Sequence, residues 1–459
     1  MSDQTIHGNP GDGNAAVPAA EPDGAPRIAV LDILRGIAIL AILFMNINDM
    51  GGSLWASFGD IRHLGWTRAD RIAWWLREVV ANGTARCMLE MLFGAGMVIL
   101  TDRAAQAAGA RVVMKRYYAR NLLLFAFGLV HIFILLWPGD ILHTYGLAAL
   151  VAFLFRRLRP RLLLTIGLVA AVMQLAGGGY GYVRATQVRA QVASIEAARA
   201  AGRPVTAADR AVLATAATRA AKRAKTKAED AAKTVAEDKA RTGSFASWAA
   251  FQWSVVVYFE THGFELLFVW EAASVMLIGA ALYRLGILQG ARSHAFYVRM
   301  MLLGYAIGIP LRVIGAAEQM RFDDAPRTIW ATTEIARQAM TLGHIGLVNV
   351  LVASLLGARL LRPFVAAGRT ALTLYVLQTI LCLWILFPPF GLALYGRFGW
   401  AGLMGIALAV DVALLWFALV YTRHYSIAPV EWAWRSLLER RWLPWRAQPP
   451  MPHARVSPA

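Results

Sequence analysis

Apolar residues run along this chain in long blocks, many of them close to the roughly 20 residues a helix needs to cross the hydrocarbon core of a bilayer. Ten such stretches stand out, at roughly 28–50, 84–101, 118–137, 141–155, 160–177, 262–284, 297–318, 335–358, 366–388 and 398–421. The fourth and fifth are short. Unpaired backbone N–H and C=O groups are intolerable in lipid, so runs this poor in charge must be helical. The expected fold is all-α: a polytopic transmembrane helical bundle of about ten spans, with a charged helical insert outside the membrane.

Several segments break the apolar pattern. Residues 1–26 hold Gly, Ala, Pro, Asp and Asn with few large apolar side chains. Too little surface can be buried there to offset ordering entropy, which predicts a disordered tail. Asp3, Asp12, Glu21 and Asp23 stand where a secretory signal would be basic. Residues 185–241 are Ala, Lys, Arg, Glu and Asp with almost no aromatics, all but Asp strong helix formers. Gly202-Arg203-Pro204 interrupts them, and Thr206 with Asp209 has the spacing of a cap. A charged helical hairpin follows, either a solvated insert or a docking surface for anionic lipid or polymer. Residues 242–261, with Trp248, Phe251, Trp253 and Tyr258, read as an interfacial aromatic segment. Residues 27–184 and 262–440 then form N-terminal and C-terminal transmembrane parts, and 441–459 a flexible tail.

Composition narrows the class. The chain is 58% apolar and 16% charged, where soluble domains carry about 25% charged residues. A soluble multidomain enzyme is thereby excluded. The 46 basic against 28 acidic residues would suggest nucleic acid in a soluble chain. Here they fall between the apolar runs, so topology explains them and no nucleic-acid partner is expected. Alternate short loops hold 22 basic residues on one side and 8 on the other. The positive-inside rule then puts both termini in the cytoplasm of a bacterial inner membrane. That parity fails if one short block is not a span. Two cysteines, Cys87 and Cys382, with no clustered Cys/His set and no HExxH, give no expectation of a metal site.

A charge in hydrocarbon costs at least about 2.5–3.5 kcal/mol on insertion scales, so each needs a partner or a task. Asp32 and Arg35 share a face near the start of the first span. They form an interfacial ion pair, or a pair that holds a phosphate-bearing ligand. Asn46, near the other end, bridges helices or orients a reacting group. Arg86 and Glu90 are spaced to pair within one helix. His131 stands alone in an apolar run, as a satisfied core histidine would. The turn Trp137-Pro138-Gly139-Asp140 follows closely, then His143. Asp140 caps the next helix, or orients His131 and His143 for general base work. Glu271, His344, Asn349 and Asp411 line a central polar cavity or pair off structurally.

These residues also carry a resemblance. LDILRGIAILAILFMNI, LFGAGMVIL, GLVHIFILLWPGDILHTYGL, GAALYRLGIL (279–288), GRTALTLYVLQT (368–379), Gly391-Leu392 and PVEWAWR (429–435) occur in order. Together they resemble the bacterial YeiB family, membrane proteins carrying domain of unknown function 418, over about 28–440 apart from the insert. The D-x-x-RG-x-A start of the first span is in turn similar to transmembrane acyltransferases. These include heparan-glucosaminide acetyltransferase and the acyltransferase-3 enzymes. The latter have His where this chain has Asn46. The former has Asn near there and uses a His slightly further on, for which His63 is the nearest match in order, at a different spacing.

The resemblance implies transfer of an acyl group from cytoplasmic acyl-CoA, as co-substrate, to an envelope glycan or lipid. Asp32, Arg35 and Arg86 would hold the donor, with Arg35 gripping its phosphates bidentately. His131, or else His143 or His63, would be the base, Asp140 its orienter and Asn46 the oxyanion donor. This requires one hollow joining the Arg35 and His131 ends. Two other readings stand beside it. One is a small-solute transporter using Glu271, His344 and Asp411, modestly disfavoured by the lack of an internal repeat. The other is an envelope scaffold whose insert recruits a partner.

Overall fold

A computed structural model describes residues 29–108 and 110–446. The expected tail at 1–26 and all of 441–459 beyond residue 446 lie outside them. Regular structure among the described residues is helical, apart from an isolated bridge between Tyr425 and Arg446. The longer helices are α1 (Ala29–Gly51), α2 (Thr84–Ala108), α3 (Ala110–Phe133), α4 (Leu142–Phe153), α5 (Pro160–Ala200), α6 (Ala207–Arg241) and α7 (Phe245–Thr261). They continue with α8 (Phe264–Arg284), α9 (His294–Gln319), α10 (Ile329–Val352), α11 (Leu355–Arg369), α12 (Ala371–Leu386), α13 (Trp400–His424) and α14 (Pro429–Glu439).

Among the described residues, seven helical runs are long and apolar enough to cross a membrane, or eight if α11 and α12, bent by 77° at their junction, make one broken span. The expected ten is therefore too high by this measure. α4, predicted as a span at 141–155, has only 12 residues, short of a bilayer core. α3 carries Arg111, Lys115, Arg116 and Arg120 in its first half, which dilutes its apolar run. The loop parity behind the cytoplasmic termini does not carry over to this count. The two ends of the bundle are accordingly named by α1, which begins near Asp32 and ends past Asn46.

Close backbone contact sets the packing. A Cβ on Gly94 would lie 1.8 Å from the Met276 carbonyl, and one on Gly279 would lie 2.0 Å from that of Met91. Only hydrogen fits at both positions, so α2 and α8 touch backbone to backbone. Gly96, two residues further along α2, faces open space. Gly36 and Gly368 seat α1 on α11 in the same way, with the Phe364 and Asp32 carbonyls at 2.1 and 1.9 Å.

The insert departs from expectation at both ends. Nothing divides it from the bundle at 185, because α5 runs unbroken for 41 residues. The break and cap fall as read: Thr206 and Asp209 form a reciprocal capping box at the start of α6. The last turn of α6 is not solvated. Glu237, fully buried, accepts from Ser53 Oγ at 2.5 Å and from the backbone N–H of Leu54 and Trp55 at 3.0 and 3.1 Å. Arg241, also buried, donates to the carbonyls of Asp49 and Gly52 at 2.9 Å and to that of Met50. Asp238 takes the Tyr395 hydroxyl at 2.7 Å. The insert is thus fastened to the loop that follows α1.

Candidate functional site

The turn between α3 and α4 is tight because Gly128 lies against His143: a Cβ there would come 2.2 Å from the His143 nitrogen. That approach puts His131 and His143 on either side of Asp140. His131 Nδ1 donates to Asp140 Oδ1 at 2.6 Å, and His143 Nδ1 donates to Oδ2 at 2.9 Å. The same Oδ2 accepts the His143 backbone N–H at 2.9 Å. Asp140 therefore serves the first turn of α4 and both rings together. His131 Nε2 lies 2.9 Å from the Thr379 hydroxyl on α12. A chain of polar contacts runs Thr379–His131–Asp140–His143. Burial pushes the Asp140 carboxyl up, but the hydrogen bonds from the two imidazoles outweigh it and hold the group well below the usual carboxylate range.

The far side of His143 meets two more carboxylates. Its Nε2 is 2.9 Å from Glu265 Oε2 and 3.5 Å from Glu260 Oε1. The Thr144 hydroxyl donates to the same Glu265 oxygen at 3.2 Å. Glu260 ends α7 and Glu265 begins α8. Between them Gly263 takes φ +77°, which lets the chain reverse and aim both side chains inward. Burial raises the Glu260 carboxyl, with His143 opposing that and Glu265 adding to it. Glu265 Oε1 is buried with no hydrogen-bond partner among the described residues.

An ionic network lies beside this group. Arg86 forks onto Glu271, Nη2 meeting the two carboxylate oxygens at 2.6 and 2.7 Å. Its expected partner Glu90 is farther away at 3.6 Å. Arg337 on α10 contacts Glu334 at 2.6 Å, Glu90 at 3.5 Å, and Glu271. Arg312, 8% exposed, donates to the Asn82 and Glu78 carbonyls at 2.6 and 3.3 Å. It has no carboxylate partner among the described residues.

These groups meet at a cavity of about 410 Å³. Four of the eight residues singled out from sequence line it: Asn46, Arg86, Asp140 and His143. The Asn46 amide has no hydrogen-bond partner among the described residues. A second cavity of about 300 Å³ shares Asp49, Phe58, Arg77 and Asn82 with the first.

The other four residues lie elsewhere. His131, 1% exposed, is behind Asp140 with both ring nitrogens engaged, so it does not form part of the wall. His63 pairs with Asp238 of the insert at 2.7 Å. Asp32 and Arg35 pair at 2.9 Å near the opposite end of α1. On α1 the cavity lining begins only at Ile42, so the expected hollow reaching Arg35 is not part of it. The reason is the Gly36–Gly368 contact, which closes α1 onto α11 at that level. Among the transport candidates, Glu271 belongs to the ionic network, while His344 faces the Tyr305 hydroxyl and the Val80 carbonyl at 2.9 and 3.0 Å. Asp411 accepts from Gln378 at 3.4 Å. None of these three lines the cavity.

Glu260, Glu265, Arg312 and Arg337 were not singled out from sequence. One signal for the first two was available: a pair of acidic residues flanking a glycine between two strongly aromatic helices.

Comparison with known proteins places this architecture. Residues 282–441 match the family described as "Protein of unknown function (DUF418)". The chain is 26% identical over 422 residues to "Uncharacterized protein YeiB" of Escherichia coli K12, covering 90% of this chain and 97% of that protein. It is 28% identical over 437 residues to "Uncharacterized protein YxaH" of Bacillus subtilis 168, covering 91% and 96%. No solved structure matches the chain. A helical bundle with helices apolar enough to cross a membrane, a DUF418 region at its C-terminal end and near full-length similarity to both bacterial proteins make this chain similar to the YeiB and YxaH proteins.

Proposed function

We propose that the protein is an enzyme of a bacterial inner membrane that moves an acyl group from cytoplasmic acyl-CoA to a hydroxyl or amine of an envelope glycan or lipid. The observation that carries this reading is convergence: Asn46, Arg86 and the neighbouring Asp140 and His143, from three separate stretches of the chain, line one cavity.

In the reaction the acceptor O–H or N–H bond and the thioester C–S bond break, and a C–O or C–N bond forms. The His143–Glu265 pair takes the acceptor proton and returns it to the departing sulfur. Asp140 holds the ring in register, and Asn46 donates to the oxyanion. His131 becomes a positioning residue behind Asp140 rather than the base. Arg35 with Asp32 meets the donor phosphates at the other end of α1, roughly 16 Å from Asn46 at a helical rise of about 1.5 Å per residue. The cavity does not reach Arg35, so donor binding must part α1 from α11 at the Gly36–Gly368 contact for the donor's arm to pass.

The test uses purified protein in lipid nanodiscs, radiolabelled acyl-CoA of several chain lengths, and an envelope extract as acceptor. Label should pass to lipid or glycan. His143→Ala should slow transfer by about 10²-fold or more. Arg35→Ala should raise the KM for the donor. No transfer from any acyl-CoA, or undiminished transfer by His143→Ala, sinks the proposal.

A further inference from the structure

We infer that His143, Glu260 and Glu265 form a binding site for a divalent transition metal, with Zn²⁺ the ion the donors suit best. One ligand atom from each residue lies within 4.8 Å of the other two. The spacing fits a tetrahedral ion. Zinc bonds to His nitrogen and carboxylate oxygen of about 2.0–2.1 Å put neighbouring ligand atoms roughly 3.3 Å apart. His143 Nε2 stands 2.9 and 3.5 Å from the two carboxylate oxygens, on either side of that value. Small rotations of the two glutamates would admit the ion.

The surroundings are those of a metal-bound histidine. Its other nitrogen donates to a buried carboxylate, which fixes the tautomer and the ring plane. That carboxylate is itself held by His131, and His131 by Thr379. One imidazole, a carboxylate and a hydroxyl therefore act in series to aim the His143 Nε2. Glu265 Oε1, buried without a partner, keeps lone pairs available for a second bond to the ion. All three residues line the cavity, which leaves a fourth position for water or substrate. An imidazole with two carboxylates favours zinc over calcium or magnesium, whose ligands are oxygen. On binding, the proton between Nε2 and Glu265 leaves to solvent and the ion takes its place.

The inference does not rest on acyl transfer and replaces the base role of His143, whose Nε2 cannot hold the ion and accept a proton at once; its test uses neither donor nor acceptor. Untagged protein, stripped with a chelator and exchanged into buffer, is titrated with Zn²⁺ against a chromophoric competitor. Saturable, stoichiometric binding is expected, with a rise in Tm. Glu260→Gln should weaken it at least tenfold, His143→Ala should abolish it, and Asp140→Asn should weaken it about 10–100-fold. His262→Ala is the control: it sits in the same turn, but its ring faces the Tyr258 carbonyl at 2.8 Å, and binding should be unchanged. Glu260 lies at the rim with its side chain 27% exposed, so its variant should fold, as unfolding of the metal-free protein will verify. Absence of saturable binding overturns the inference. So does binding that survives both Glu260→Gln and Glu265→Gln.

Discussion

Arg337 shows what burial requires of a single charge. It is 3% exposed and touches three glutamates. Arg337→Met removes the cation shared by Glu90, Glu271 and Glu334 and leaves Glu90, itself fully buried, with Arg86 at 3.6 Å and the Tyr145 hydroxyl at 3.5 Å. Breaking a buried pair from one side costs about 3–5 kcal/mol, so a large drop in Tm is expected in detergent. Arg337→Lys should recover little, because an ammonium lacks the planar fork. Sequence reading reached part of this network. Arg86, Glu90 and Glu271 were conspicuous as charges in apolar runs, and the i, i+4 spacing suggested Arg86 with Glu90. The stronger partner, Glu271, lies 185 residues away, and no local rule reports such a contact. His131 was visible for the same reason as Arg86. Its sequestration depends on Thr379, 248 residues distant.

At the scale of helices, the site depends on how closely pairs can approach. Gly94→Leu would drive a side chain into the Met276 carbonyl and part α2 from α8. Overpacking a close contact costs about 1–3 kcal/mol or more. Since α2 carries Arg86 and α8 carries Glu265 and Glu271, the variant should lose thermal stability and ligand binding together. Gly96→Leu, facing open space, should lose neither, as melting curves of the two variants will show. Helical character and most helix positions were readable from apolar runs, and the α6 cap from Thr206 and Asp209. The number of spans was not. α4 and α3 differ from true spans by length and by a basic half, and the 77° bend between α11 and α12 has no proline at its joint to announce it.

For the whole molecule, the insert was the least legible part. Its composition correctly reads as exposed helix over most of α6. Only the last turn is buried, and Glu237 and Arg241 look like any other pair in a charged run. Their role comes from the loop they meet. Glu237→Ala withdraws the acceptor of two backbone N–H groups and leaves buried Arg241 without its carboxylate, at 3.1 Å. Limited proteolysis should then cut within 51–65 in the variant and leave that segment intact in the parent protein. Equal resistance in both proteins would show that α6 rests on the bundle without holding it.

The fastening of α6 has a mechanical side. Arg241 grips the main chain of Asp49, Met50 and Gly52, and the same stretch leads into Ser57 and Phe58. Asp49 and Phe58 border both hollows. The long arms of α5 and α6 therefore end on residues that border both hollows. A displacement of the far tip would be felt at Asp49 and Phe58.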